Sequence, residues 1–190
     1  MRFVTLTLTL AAAATPALAH TGAGATHGFA AGVAHPLAGL DHVLAMTAVG
    51  VWAALVGGRA VWAWPAAFMA LMVAGALLAF AGVPALGAEV VIALSVAALG
   101  ALVALRLPLG ATAGAALCGA FAVFHGLAHG AELPSGAEAG AYVTGFVLST
   151  AALHAGGIGL GLAAGRVAPP WLPQAAGGAV AAAGLLLLVS

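Results

Sequence analysis

From residue 37 to residue 189 the chain is a succession of apolar stretches, each about as long as a bilayer is thick, divided by short breaks with turn chemistry. The stretches cover residues 37–56, 61–80, 88–105, 109–130, 138–164 and 171–189. A helix rises about 1.5 Å per residue, so about 20 residues cross the roughly 30 Å hydrocarbon layer. In lipid the backbone has no water to satisfy its polar groups, and long uninterrupted apolar runs resolve that as helices. The breaks are Gly57-Gly58-Arg59, Gly82-Val83-Pro84, Arg106-Leu107-Pro108, Leu133-Pro134-Ser135-Gly136 and residues 166–173, rich in proline and glycine where a helix has to stop. The expected fold class is therefore all-α, a polytopic membrane bundle of six antiparallel transmembrane helices.

Composition supports that class and excludes others. Hydrophobic residues make up 65% of the chain and charged residues 4%, which leaves too little polar surface to cover a soluble globule. There is no lysine and the arginines are scattered, so nucleic-acid binding lacks its basic patch. The single cysteine, Cys118, excludes an internal disulfide and any cysteine-rich zinc or iron–sulfur site. At the N-terminus, Met1-Arg2 precedes an apolar run over residues 3–14, followed by the small-x-small pattern Ala17-Leu18-Ala19. This reads as a cleavable signal peptide over residues 1–19, leaving one membrane domain over residues 20–190 with His20 as its first residue.

Six crossings from an external His20 put Arg59, Arg106 and Arg166 on the cytoplasmic side, as the positive-inside rule requires. The same count puts Asp41, Glu89, Glu132 and Glu138 on the external side, and leaves both mature termini external. Trp52, Trp62, Trp64 and Trp171 all fall near the cytoplasmic ends, where an interfacial aromatic belt is expected. Gly110-x3-Gly114, Gly126-x3-Gly130, Gly157-x3-Gly161 and Gly161-x3-Gly165 are small-x3-small patterns that let helices approach closely.

Against this apolar background, six of the seven histidines lie beside or inside spans. Ionisable groups at membrane depth are costly and tend to mark an ion or substrate path. His35 and His42, seven residues apart, would sit about 10 Å apart along a straight helix, too far to share an ion. Gly39 allows an irregular turn that shortens the gap, while His35-Pro36 reads as the start of the first span. Asp41 can bind metal directly or orient an imidazole. His125 and His129 are neighbours on one helical face, and Glu132 continues that face if the helix extends so far. Imidazole and carboxylate together suit divalent transition metals, nickel, cobalt, zinc and copper(II) alike. The plain alternative is a set of interhelical hydrogen bonds, which weighs most for the isolated His154. Met46 and Cys118 read as packing. His20 and His27 read either as a capture segment for metal or as a solvated tail, and His154, about 24 Å deep by rise per residue, reads as a later point on a path.

At these residues the chain resembles the HupE/UreJ family of bacterial membrane proteins. The resemblance is carried by a signal peptide ending before a histidine, Gly28-Phe29, His35-Pro36, Gly39, Asp41-His42, Phe124-His125-Gly126 through His129-Gly130 to Glu132, and Leu153-His154 followed by Gly157. It implies a permease for nickel, with cobalt as a second substrate, that supplies hydrogenase or urease maturation. It also implies metal contacts by His35, Asp41, His42, His125, His129 and Glu132.

The leading expectation is thus a passive or secondary permease that is not an enzyme, holds no tight cofactor, and has a divalent ion and the bilayer as partners, with a homo-oligomer open. The chain contains no nucleotide-binding loop that would couple it to ATP. The runner-up from another class is a membrane-embedded metal-dependent hydrolase or di-iron enzyme, marked by tightly retained metal. A b-type haem protein would instead show a Soret band.

Overall fold

The computed structural model describes residues 28–189, so the signal peptide read over residues 1–19, and with it His20 and His27, lies outside the described residues. Seven helices follow in order: α1 Gly28–Ala38, α2 Leu40–Val56, α3 Ala60–Phe80, α4 Ala88–Ala104, α5 Ala111–Ala131, α6 Ala139–Val167 and α7 Trp171–Leu187. No strand occurs among the described residues. Six of the seven match the expected spans to within three residues at each end, because each break supplies a residue that stops a helix. Gly57, Gly82 and Gly136, at φ 79°, 91° and 78°, adopt the left-handed backbone that only glycine takes easily.

Length and apolarity qualify α3, α5 and α6 as membrane spans outright, and the bent pair α1–α2 passes the same test only when taken together. The apolar α4 and α7, at 17 residues, reach about 25 Å, a little short of the hydrocarbon thickness. Exposed leucines such as Leu77, Leu94, Leu148, Leu160 and Leu186 stud the outside of the bundle, the surface that lipid would cover.

The N-terminal part departs from the simple expectation. His35 and Pro36 lie inside a separate helix, α1, rather than ahead of the first span. The chain then bends by 79° between α1 and α2. Pro36 weakens the hydrogen-bonding of its own helix, and Gly39 takes an extended conformation (φ −89°, ψ 117°) that ends α1 and caps α2. Asp41 and His42 therefore occupy the first turn of α2.

Helices pair as α3 with α5, α4 with α7, α2 with α6, and α1 across the start of α6. Small residues set these approaches: a Cβ at Gly126 would strike the Met72 carbonyl of α3, and one at Gly157 the Thr47 carbonyl of α2. Met46, Val49, Trp52, Phe68, Met72 and Phe146 fill the centre with no exposure.

The tryptophans divide. Trp62 and Trp171 are 60% and 62% exposed, as belt residues would be, but Trp52 and Trp64 are fully buried. Their rings pack 4.1 Å apart, and their indole N–H groups donate to the carbonyls of Leu107 and Ala111, 2.9 Å each. One indole thus ties α2 to the α4–α5 loop and the other ties α3 to the first residue of α5. This closes the end of the bundle that carries the arginines.

Candidate metal centre

The break at Gly39 turns α1 back over the start of α2, and this brings His35 beside His42 despite their separation in sequence. Their ring centroids lie 5.9 Å apart. His129, from the last turns of α5, stands against both, at 4.6 Å from His35 and 4.8 Å from His42. One ring nitrogen from each of His35, His42 and His129 lies within 4.8 Å of the others. Two metal–nitrogen bonds of about 2.0–2.1 Å span at most about 4.2 Å, so movements of about an ångström would bring all three onto one ion. His129 is fully buried, His42 nearly so, and His35 forms the more open side.

The groups around these rings settle which nitrogens carry a free lone pair. The Nδ1 of His42 lies 2.8 Å from Oδ1 of Asp41, a carboxylate that only accepts, so Nδ1 holds the proton and Nε2 is left as a lone pair. That Nε2 is buried and has no partner among the described residues. The Nε2 of His35 donates to Oε2 of Glu132 at 3.0 Å, which leaves its Nδ1. Glu132 follows the last residue of α5, and the hydrogen bond from His35 holds its carboxyl below the usual carboxylate range. His129 is held by stacking, its ring 4.9 Å from that of Phe146 with 6° between planes, and both its nitrogens are unpartnered. Asp41 and Glu132 thus each contact an imidazole, the arrangement by which an outer acceptor orients a metal-binding histidine.

His125 stands one turn deeper. Its ring is 4.9 Å from His42, but it does not join the three nitrogens that converge. Its Nε2 lies 3.0 Å from the hydroxyl of Ser95 on α4. That hydroxyl spends its hydrogen on the carbonyl of Ile92, 2.7 Å away, so it must accept from His125. The Nδ1 of His125 is therefore also a buried lone pair without a partner. His154 is set apart from the cluster: its Nδ1 donates to the Met46 carbonyl at 3.1 Å, and its buried Nε2 has no partner.

Four residues near the site escaped sequence reasoning. Ser95 sits on a span that carries no other ionisable or ligating group at that depth, so nothing marked it. Phe146 and Phe68 read as ordinary core. Tyr142, the one tyrosine in the chain, lies with its ring 6.1 Å from His35 and its hydroxyl buried without a partner. Its uniqueness was the only available signal.

A neutral donor triad with two carboxylates behind it, reached from one end of a helix bundle, fits a dehydrated divalent cation better than it fits a packing role. Unpaired buried nitrogens destabilise a fold by about 1–3 kcal/mol each, and packing alone gives no reason to keep several together. Comparison with known proteins agrees in extent. The chain is 45% identical over 190 residues to Protein HupE of Rhizobium leguminosarum bv. viciae, covering all of both chains. No solved structure matches. The HupE / UreJ protein family matches over residues 8–187, a range that includes both halves of the histidine cluster and every helix that builds it, and the chain belongs to that family.

Proposed function

We propose that this protein is a permease for a divalent transition-metal ion, nickel in the first place and cobalt as a second substrate, serving the maturation of hydrogenase or urease. The observation that carries the reading is the convergence of His35, His42 and His129, with carboxylates orienting two of the rings, at the open end of a membrane-type bundle. His125 receives the ion next, since its free Nδ1 lies beyond His42. The donor set is neutral imidazole at the centre with the carboxylates held outside it, which favours binding that is firm but reversible, as conduction requires.

In this reading the six long helices all cross the membrane, the mature chain starts at His20 with both termini periplasmic, and the buried Trp52–Trp64 pair closes the cytoplasmic side. His20 and His27 then serve to capture the ion ahead of transport. No step requires bond chemistry, so the protein is a carrier and not an enzyme. Protons compete with metal for the imidazoles, so a proton gradient is a natural energy source.

Uptake of radioactive nickel into proteoliposomes, with cobalt and zinc as competitors, tests this directly. Wild-type protein is expected to accumulate nickel, with cobalt competing more effectively than zinc. His42→Ala and His129→Ala are each expected to abolish uptake while the protein remains folded in the membrane. Retained uptake in both variants would sink the assignment of the site, and tightly held metal with turnover of an ester or amide would favour the hydrolase.

A further inference from the structure

We infer that Phe68 is a movable partition between two ion-binding stations, the histidine cluster and a second, inner station at His154. The inference rests on the transport reading above and gives the bundle its second stop. Phe68 is fully buried, and its ring lies 5.3 Å from that of His125 and 5.1 Å from that of His154. One phenyl ring therefore touches the deepest imidazole of the cluster and, among the described residues, the one imidazole outside it.

His154 is equipped to receive an ion. It is 1% exposed, its Nδ1–H is fixed on the Met46 carbonyl, and its Nε2 keeps a lone pair that no described residue uses. A histidine kept only as glue between α2 and α6 needs the Nδ1 bond alone. Thr150 lies one turn before His154 on the same face of α6, and Met72 one turn after Phe68 on α3. The Thr150 hydroxyl points at the Met72 sulfur, 3.8 Å away, and the Met72 backbone meets Gly126 beside His125, so this oxygen–sulfur pair lies on the cluster side of the ring, one turn before His154. The Nε2 of His154 is a neutral ligand of the borderline kind that nickel and cobalt accept. With no carboxylate behind it, the inner station binds more weakly than the cluster, which gives the ion a downhill exit once past the ring. The phenyl ring itself has no lone pair, so it blocks passage until it rotates.

Two measurements on the full-length protein decide this. In detergent, diethyl pyrocarbonate acylates unprotonated imidazole nitrogens, and peptide mass spectrometry reads each histidine. In wild-type protein His154 should react slowly. In Phe68→Ala it should react at least about tenfold faster, and added Ni2+ should suppress the gain, since a bound lone pair cannot be acylated. Phe68→Leu, which retains more of the packing, should shift in the same direction and replaces the alanine variant if that one fails to fold. An unchanged His154 rate would refute the partition, and a faster rate without protection by Ni2+ would refute the inner station. In proteoliposomes, His154→Gln keeps a donor for the Met46 carbonyl, so a merely structural role is rescued. It should leave equilibrium Ni2+ affinity at the cluster within about twofold and lower uptake by about tenfold or more. Wild-type uptake in His154→Gln would overturn the station as part of the path. Absence of uptake by wild-type protein would instead remove the transport reading, and the labelling would still decide whether the inner station exists.

Discussion

Each imidazole in the interior except the stacked His129 has a neighbour that decides its tautomer, and this is where single atoms control affinity. Asp41 holds the proton on Nδ1 of His42, and Ser95 accepts from Nε2 of His125. Removing such outer partners typically lowers metal affinity by about 10–100-fold. Asp41→Asn is the sharper test, because the amide has nearly the same shape but can donate to Nδ1 and push the proton onto Nε2, the nitrogen needed for metal. Calorimetric titration with Ni2+ should show affinity falling within that range for both Asp41→Asn and Ser95→Ala, with helical content unchanged. The His35–Glu132 contact adds a pH dependence. Its carboxyl titrates below the ordinary value because His35 donates to it, so the stabilisation is present above the unfolded-state carboxylate pKa and is lost as pH falls through the lower folded-state value. Metal affinity falls on the same descent, since each imidazole must be neutral to bind and protons compete with the ion for its lone pair. A titration of Ni2+ affinity from pH 8 to pH 5 should fall steeply before any unfolding signal appears.

At the scale of the element, the 79° break between α1 and α2 is the feature that builds the site. A straight helix would separate His35 from His42; the bend sets them in contact. Gly39 is the pivot, and its role is space more than backbone freedom, for its φ of −89° suits any residue. A Cβ there would lie 2.6 Å from Oδ1 of Asp41 and 3.0 Å from Nδ1 of His42, inside the pair that fixes the tautomer. Gly39→Ala should therefore leave the bundle folded and thermally stable while weakening Ni2+ binding by at least about tenfold, as loss of an outer partner does. Full affinity in that variant would show that the Asp41–His42 pair can rearrange at no cost. The α3–α5 pairing works differently: Gly126 sits beside His125 where the two backbones touch, so a larger residue there would separate the helices and lose the protein rather than its selectivity.

For the whole molecule the central question is direction. The histidine cluster lies at one end, and the Trp52–Trp64 pair with its hold on the α4–α5 loop at the other. Arg59 and Arg106 both lie at the tryptophan end, in the loops that flank α3 and α5. If the arginines face the cytoplasm, the cluster faces the periplasm and the structure is open outward and closed inward. A reporter active only in the periplasm should therefore give signal when fused after Ser190 and none when fused after Arg106. The opposite pattern would reverse the path and make His154 the first station instead of the second.

Much of this was determined by the sequence alone. Bilayer thickness fixes span length and glycine and proline fix the breaks, so six of the seven helices could be placed to within three residues. Imidazoles four residues apart on a helix must share a face, so His125 and His129 were bound to point the same way. Only the tertiary structure decided which histidines meet. The break at Gly39 created α1 and moved His35 to the centre, whereas His125 turned toward Ser95 and left the converging three. Gly39 was legible as the place for an irregular turn, but the size of the bend was not, because packing of α1 on α6 stabilises it. The burial of Trp52 and Trp64 and the position of Phe68 between His125 and His154 have the same origin. They depend on which helices lie side by side, a property of the assembled bundle and of no single segment within it.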